Sequence, residues 1–218
     1  MATKGASWTP IEPEQPDDEA GGVHAATLGV DGLADARVEE LVVASMPDAA
    51  VMRVEVARLV AAKATLPGLM VRDAAFAGGD LSNAVLAGAR LRRVSVSGLG
   101  GVGVDASDAH LEDVVLRGCK LKVSHAFGTR MTRCAFESCD LRDADFEGAA
   151  LDRVVFRDCD LSGVRLVGVD LARCDLRGSR VDGLVVSPDR IRGIRVDALQ
   201  LPTFAAALGL DVGEAPRG

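Results

Sequence analysis

The chain has 218 residues, of which 26% are charged and 3% aromatic, and a formal net charge of −7. It contains no long uncharged apolar run to span a membrane, and no charged start followed by an apolar core of the kind a secretory signal needs. The five cysteines are an odd number, and none stands where an exposed disulfide framework would want it. A reducing, cytoplasmic compartment is therefore expected.

Residues 1–40 read as an acidic, disordered tail. The stretch WTPIEPEQPDDEAGG holds three Pro, five acids and almost no apolar bulk, too little to offset the entropy of folding. The charge is unevenly placed: residues 1–40 carry 2 basic and 9 acidic groups, 41–197 carry 22 and 21, and 198–218 carry 1 and 2. All the acidic excess lies in the tail, and the remainder is close to neutral.

Two readings compete over 41–70. Leu41, Met46, Val51, Val56, Ala61 and Leu66 recur every fifth residue, with Ala44, Ala49, Val54, Leu59 and Ala64 two places upstream. A helix over 47–65 is the alternative, with Pro47 in its first turn and Met52, Val56, Leu59 and Val60 at helical spacing. The valines weaken that helix, and Pro67-Gly68 fits a repeat turn.

From Val71 to Val196 the five-residue period is unbroken. Of 26 fifth positions, 23 hold Leu, Val, Ile, Met or Phe; only Gly101, Ala106 and Ala126 do not. A spacing of five matches neither the 3.6-residue period of a helix nor the two-residue period of a strand, so it calls for a repeat in which each unit turns the chain by the same amount. A second, smaller set stands two places upstream of each central residue and includes all five cysteines: Cys119, Cys134, Cys139, Cys159 and Cys174. A free Cys behaves as a small buried hydrophobe, so this position also points inward. Gly recurs two places after the centre, as a turn with positive φ requires. Gly101 and Ala106 thin the core on adjacent sides, which predicts that 99–107 is the least regular part of the repeat.

The units Gly79-Asp80-Leu81, Cys139-Asp140-Leu141, Ala144-Asp145-Phe146, Cys159-Asp160-Leu161, Val169-Asp170-Leu171 and Cys174-Asp175-Leu176 resemble those of the pentapeptide-repeat family. The resemblance implies an all-β solenoid: a right-handed quadrilateral β-helix with four pentapeptides to a coil. Counted from residue 41, the frame would give eight coils, a rod roughly 38 Å long at a strand spacing of about 4.8 Å. After Val196 the frame stops. Pro202, Ala205–Leu208 and Gly209 predict a short C-terminal α-helix within 198–218, with Leu199, Leu201, Phe204 and Leu208 as candidate cap or dimer residues. This segment also resembles that of the actinobacterial fluoroquinolone-resistance branch of the family, in which such a helix joins two rods end to end.

With four sides per coil, residues twenty apart share a side. One side gathers Arg90, Arg92, Arg93, Arg130 and Arg133 as a candidate basic face. Another gathers Asp105, Asp108, Asp145 and Glu147 as a candidate acidic face. No catalytic, cofactor or metal site is expected: there are three His and no Tyr, His110 and His125 fall on different sides, and a cysteine ladder points its sulfurs in parallel rather than toward one centre. The resemblance implies a protein partner, with DNA gyrase as the family's best-known target through mimicry of duplex DNA. An adaptor scaffold with no topoisomerase role is the alternative. Direct nucleic-acid or membrane binding is not expected.

Overall fold

In a computed structural model, residues 11, 13, 22–27, 32–43 and 46–210 are described. The strands are β1 (Gly22–Thr27), β2 (Leu33–Val42), β3 (Ala50–Val60), β4 (Met70–Phe76), β5 (Gly79–Asp80), β6 (Arg90–Ser97), β7 (Leu99–Gly100), β8 (His110–Arg117), β9 (Arg130–Glu137), β10 (Ala150–Arg157), β11 (Arg165–Leu166) and β12 (Val185–Val186). Eight of them stack in parallel in the order β1-β2-β3-β4-β6-β8-β9-β10. From β3 onward the step between partners is twenty residues: Ala50 pairs with Met70, Arg90 with His110, and Arg130 with Ala150. Each coil thus lays its five-residue units directly over those of the coil before. The result is the quadrilateral solenoid that the repeat predicts, and residues 46–70 are coils of it rather than a helix.

Inside, the central and upstream columns both face the core. Val54, Val94, Val114, Val154 and Val164 are buried alongside Leu141, Leu161, Leu171 and Leu176. Phe136 stacks on Phe156 at 5.0 Å between ring centroids, and Phe146 meets both edge-on. The long strands bend where they pass from one side to the next. The bend falls on Asp73, Arg93, Asp113, Arg133 and Arg153, all with φ between 50° and 57°. Charged residues thus occupy left-handed corners that the sequence reading reserved for Gly. At Gly79 the requirement is strict, because a Cβ there would lie 2.0 Å from the carbonyl oxygen of Leu59.

Three expectations are corrected. Residues 22–27 and 33–40 are not tail: β1 pairs with β2, and β2 with β3. Their coils are shorter, with Gly22 opposite Arg37 and Leu33 opposite Val51, so a strict five-residue frame passes over them. The same shift moves Leu41 out of the central column and opposite Leu59. Ala44 and residues 1–10 lie outside the described residues. Finally, 99–107 keeps the same turns and inter-coil hydrogen bonds as its neighbours. Leu99 and Val104 are buried there, and the missing bulk of Gly101 and Ala106 appears as a cavity of ≈ 120 Å³ in a regular backbone.

Candidate binding faces

The Asp that precedes the central residue has a local task in every well-formed unit. The carboxylates of Asp80, Asp105, Asp145, Asp160, Asp170 and Asp175 each accept a hydrogen bond from the backbone N–H two residues on, at 2.8–3.2 Å. This is an Asx turn, and it explains why the position takes Asp or Asn. Two residues of the candidate acidic face, Asp105 and Asp145, are therefore turn residues first. Asp108 sits at a corner with φ 56°, its carboxylate lying over Gly128, where a Cβ would come within 2.6 Å of Oδ1. Glu147 accepts from Arg165 at 2.8 Å, and Arg165 also stands 3.5 Å from Asp145. The four acids do share one side, with His125 stacked between Asp105 and Asp145.

The basic face is reorganised more deeply. Arg93 and Arg133 do not project from it. Each folds along the mid-strand corner and grips a buried carboxylate with two nitrogens: Arg93 holds Asp73 at 2.5 Å through each, and Arg133 holds Asp113 at 2.7 Å. Asp73 and Asp113 are 3% and 2% exposed, so these are fork-to-carboxylate pairs withdrawn from water. Further down the same corner Arg53 pairs with Asp35. Acid and base thus alternate along this edge from Asp35 to Arg133, while Arg153, next on the corner, pairs with Asp152. The Arg133 guanidinium holds the Asp113 carboxyl below its usual range, helped by the backbone N–H of Ile11. Of the remaining candidates, Arg92 stands 3.5 Å from Glu112 and Arg130 lies 3.3 Å from the His110 ring. Arg90 is exposed beside them.

Residues 139–178 match the description of pentapeptide repeats, in eight copies. The twenty-residue step, the inward cysteines and the Asx turns are the structural form of that repeat. Residues 139–178 are therefore pentapeptide repeats. No curated protein matches it in sequence. Among solved structures, it is similar to a trypsin-treated form of QnrB1, a plasmid-mediated fluoroquinolone resistance protein. That match has 18% identity over 88% of this chain and 98% of the other, at a TM-score of 0.46. It is also similar to HetL, a pentapeptide-repeat protein involved in heterocyst differentiation regulation from the cyanobacterium Nostoc sp. strain PCC 7120. There the identity is 14% over 83% and 89%, at a TM-score of 0.44.

The rod ends in a cap. A 3₁₀ turn at Ala198–Gln200 leads into α1 (Leu201–Ala207), and Gly209 stops it with φ 73°. Of the candidate cap residues, Phe204 is buried at 5% exposure, whereas Leu199, Leu201 and Leu208 are 92%, 54% and 50% exposed. Only Phe204 covers the core. Its partner in that work is Gln200, which sequence reasoning missed: Nε2 donates to the carbonyl oxygens of Leu176 and Ser179 at 2.6 and 2.7 Å. Asp197 adds a bond from the N–H of Gly178 at 2.9 Å. The signal was present in Asp197-x-x-Gln200, the spacing of a capping box.

The five thiols of the rod are free and buried in its core. Cys119, Cys139 and Cys159 stack as one column, with the N–H of Cys139 reaching Cys159 Sγ at 3.4 Å. On the next side, burial pushes the Cys134 and Cys174 thiols up to about 12. Such groups remain protonated, and a thiol is a poor nucleophile. Among the described residues no group of His, Cys, Asp and Glu converges on a metal-sized centre, and no helix is long and apolar enough to cross a membrane.

Proposed function

We propose that this protein is a non-enzymatic pentapeptide-repeat scaffold that acts by binding another protein along the sides of its rod. The observation that supports this is the fate of the reactive groups. The thiols are sealed in the core, the aspartates close turns, and the arginines pair across coils. What each side offers a partner is a fixed spacing of charge, repeated every strand step of about 4.8 Å.

The finer reading is modulation or protection of DNA gyrase by mimicry of duplex DNA. It is favoured by one specific feature: Asp105, Asp108, Asp145 and Glu147 line up on one side with Arg165 as their cation. The near-neutral balance of 41–197 weighs toward the alternative, an adaptor that binds a different protein. A supercoiling assay with purified gyrase, with and without a quinolone, separates them. Inhibition or quinolone protection at micromolar protein supports the gyrase reading, and an unchanged assay leaves the adaptor.

We further propose that two copies pair through residues 198–210. Leu199, Leu201 and Leu208 form exposed apolar surface beside a capped rod end, and a two-fold axis is the commonest way to cover such surface.

A further inference from the structure

The side whose central residues are Leu86, Ala106, Ala126 and Phe146 departs from the rest of the rod in two ways that meet at Phe127. Inside, Ala106 and Ala126 stand where the flanking coils place Leu86 and Phe146. With Gly101, Val104 and Ser124 they border the ≈ 120 Å³ cavity. Outside, Phe127 follows Ala126 directly and is 57% exposed. Elsewhere the same kind of segment puts its ring inward: Phe136 in Cys134-Ala135-Phe136 and Phe146 in Ala144-Asp145-Phe146 are 3% and 2% exposed. This coil therefore carries the phenyl ring that its core lacks, one residue out of the inward register. An empty core position and a solvated aromatic each lower stability. Such losses are retained where function uses them.

The surroundings say what would use this one. Ser107 lies one coil before Phe127 and Glu147 one coil after. Asp105 and Asp145 flank the adjacent His125, and Asp108 occupies the corner toward Gly128. The ring reaches along the corner at Gly148, where a Cβ would come within 3.9 Å of Cε2. On the preceding corner Val123 is 49% exposed and held at φ 52°, a conformation that β-branched residues rarely adopt. An exposed aromatic ring on a side that carries four acids, with Arg165 already held by Asp145 and Glu147, offers a guanidinium both a cation–π face and charged acceptors.

We propose that Phe127 anchors a docking surface for a basic, arginine-bearing segment of a partner protein, with Asp105, Asp108, Asp145 and Glu147 fixing the sign of the charge it accepts. The proposal rests on the binding-scaffold reading and not on gyrase being the partner. Its test uses fluorescein-labelled nona-arginine as the probe, measured by anisotropy. The protein is the full chain carrying Glu12→Gln, Glu14→Gln, Asp17→Asn, Asp18→Asn and Glu19→Gln, so that the N-terminal acids do not compete. Phe127→Ala should weaken binding about ten-fold and Phe127→Tyr by less than about two-fold, as expected for a desolvated cation–π contact. Neither should lower the melting temperature. Arg90→Ala, on another side, should not weaken binding. Failure of the parent to bind the probe, equal binding by parent and Phe127→Ala, or equal losses for Ala and Tyr would overturn the assignment. A negative gyrase assay alongside a positive peptide result removes gyrase and leaves the Phe127 surface standing.

Discussion

Gln200 donates to the carbonyl oxygen of Ser179 at 2.7 Å, closing the last coil of the rod with a side chain where the next coil's backbone N–H would otherwise be, as at Cys139 and Cys159. A β-helix ends in a ring of unpaired strand groups, which invites further pairing. Here one amide answers the open carbonyl of Ser179, and the same nitrogen reaches the carbonyl oxygen of Leu176 at 2.6 Å, which also takes the N–H of Ser179.

Replacing that amide tests the cap. Gln200→Leu keeps the bulk and removes the donors: the Ser179 carbonyl loses the amide, the Leu176 carbonyl keeps only the N–H of Ser179, and the change should cost about 1–3 kcal/mol. Thermal melts should show the loss, and amide exchange should quicken first around 176–200. Equal protection there in both proteins would show that the end is sealed by Phe204 alone.

The corner pairs give a pH dependence of known sign. The Asp113 carboxyl is held below its ordinary value by Arg133, so the pair contributes stability above the unfolded value of about 3.9 and loses it as pH falls through the folded one. Arg133→Met should destabilise by about 3–5 kcal/mol at neutral pH, because it strands a buried carboxylate. It should also raise the pH at which acid unfolding begins. Adding Asp113→Leu should recover part of the loss in a double-mutant cycle.

The cavity predicts the opposite effect. Ala106→Leu restores the central side chain that the preceding coil carries at Leu86, in space already open behind it. Filling it should stabilise by about 0.5–2 kcal/mol, visible as a melting temperature a few degrees higher. A lower melting temperature would mean that the void is too narrow for leucine.

Pairing through the C-terminus is read by sedimentation. The parent should be a dimer at micromolar concentration, and Leu199→Glu with Leu208→Glu should be a monomer with an unchanged melting curve, since both side chains are at least half exposed. A monomeric parent, or a dimer that survives both changes, would remove the proposed interface.

Much of the fold was legible because a five-residue period leaves no other simple solution. Val71 to Val196 could be placed in or out of the core from spacing alone. The period fails where coils shorten: Gly22–Thr27 and Leu33–Val42 pair as strands, but steps of 15 and 18 residues hide them from a fixed frame. The faces were harder to read. A side can be assigned by counting to twenty, yet counting does not reveal that Arg93 and Arg133 turn into the corner while Arg90 stays outside. That outcome depends on the acids at 73 and 113 lying twenty residues earlier at the same bend. Phe127 was hidden for a related reason: the frame marks Ala126 as a weak centre and says nothing of the ring beside it.

The constant twenty-residue step has a consequence for how such a molecule can change. Because every coil from β3 onward repeats the last, adding or deleting a whole coil lengthens or shortens the rod and leaves each later side chain facing the same way. Adding a single pentapeptide would preserve the inward pattern while turning everything beyond it by a quarter turn. The Arg90 side and the Phe127 side would then no longer run straight along the axis. The rod is in this sense a combination lock, whose surface can be re-dialled without disturbing its core.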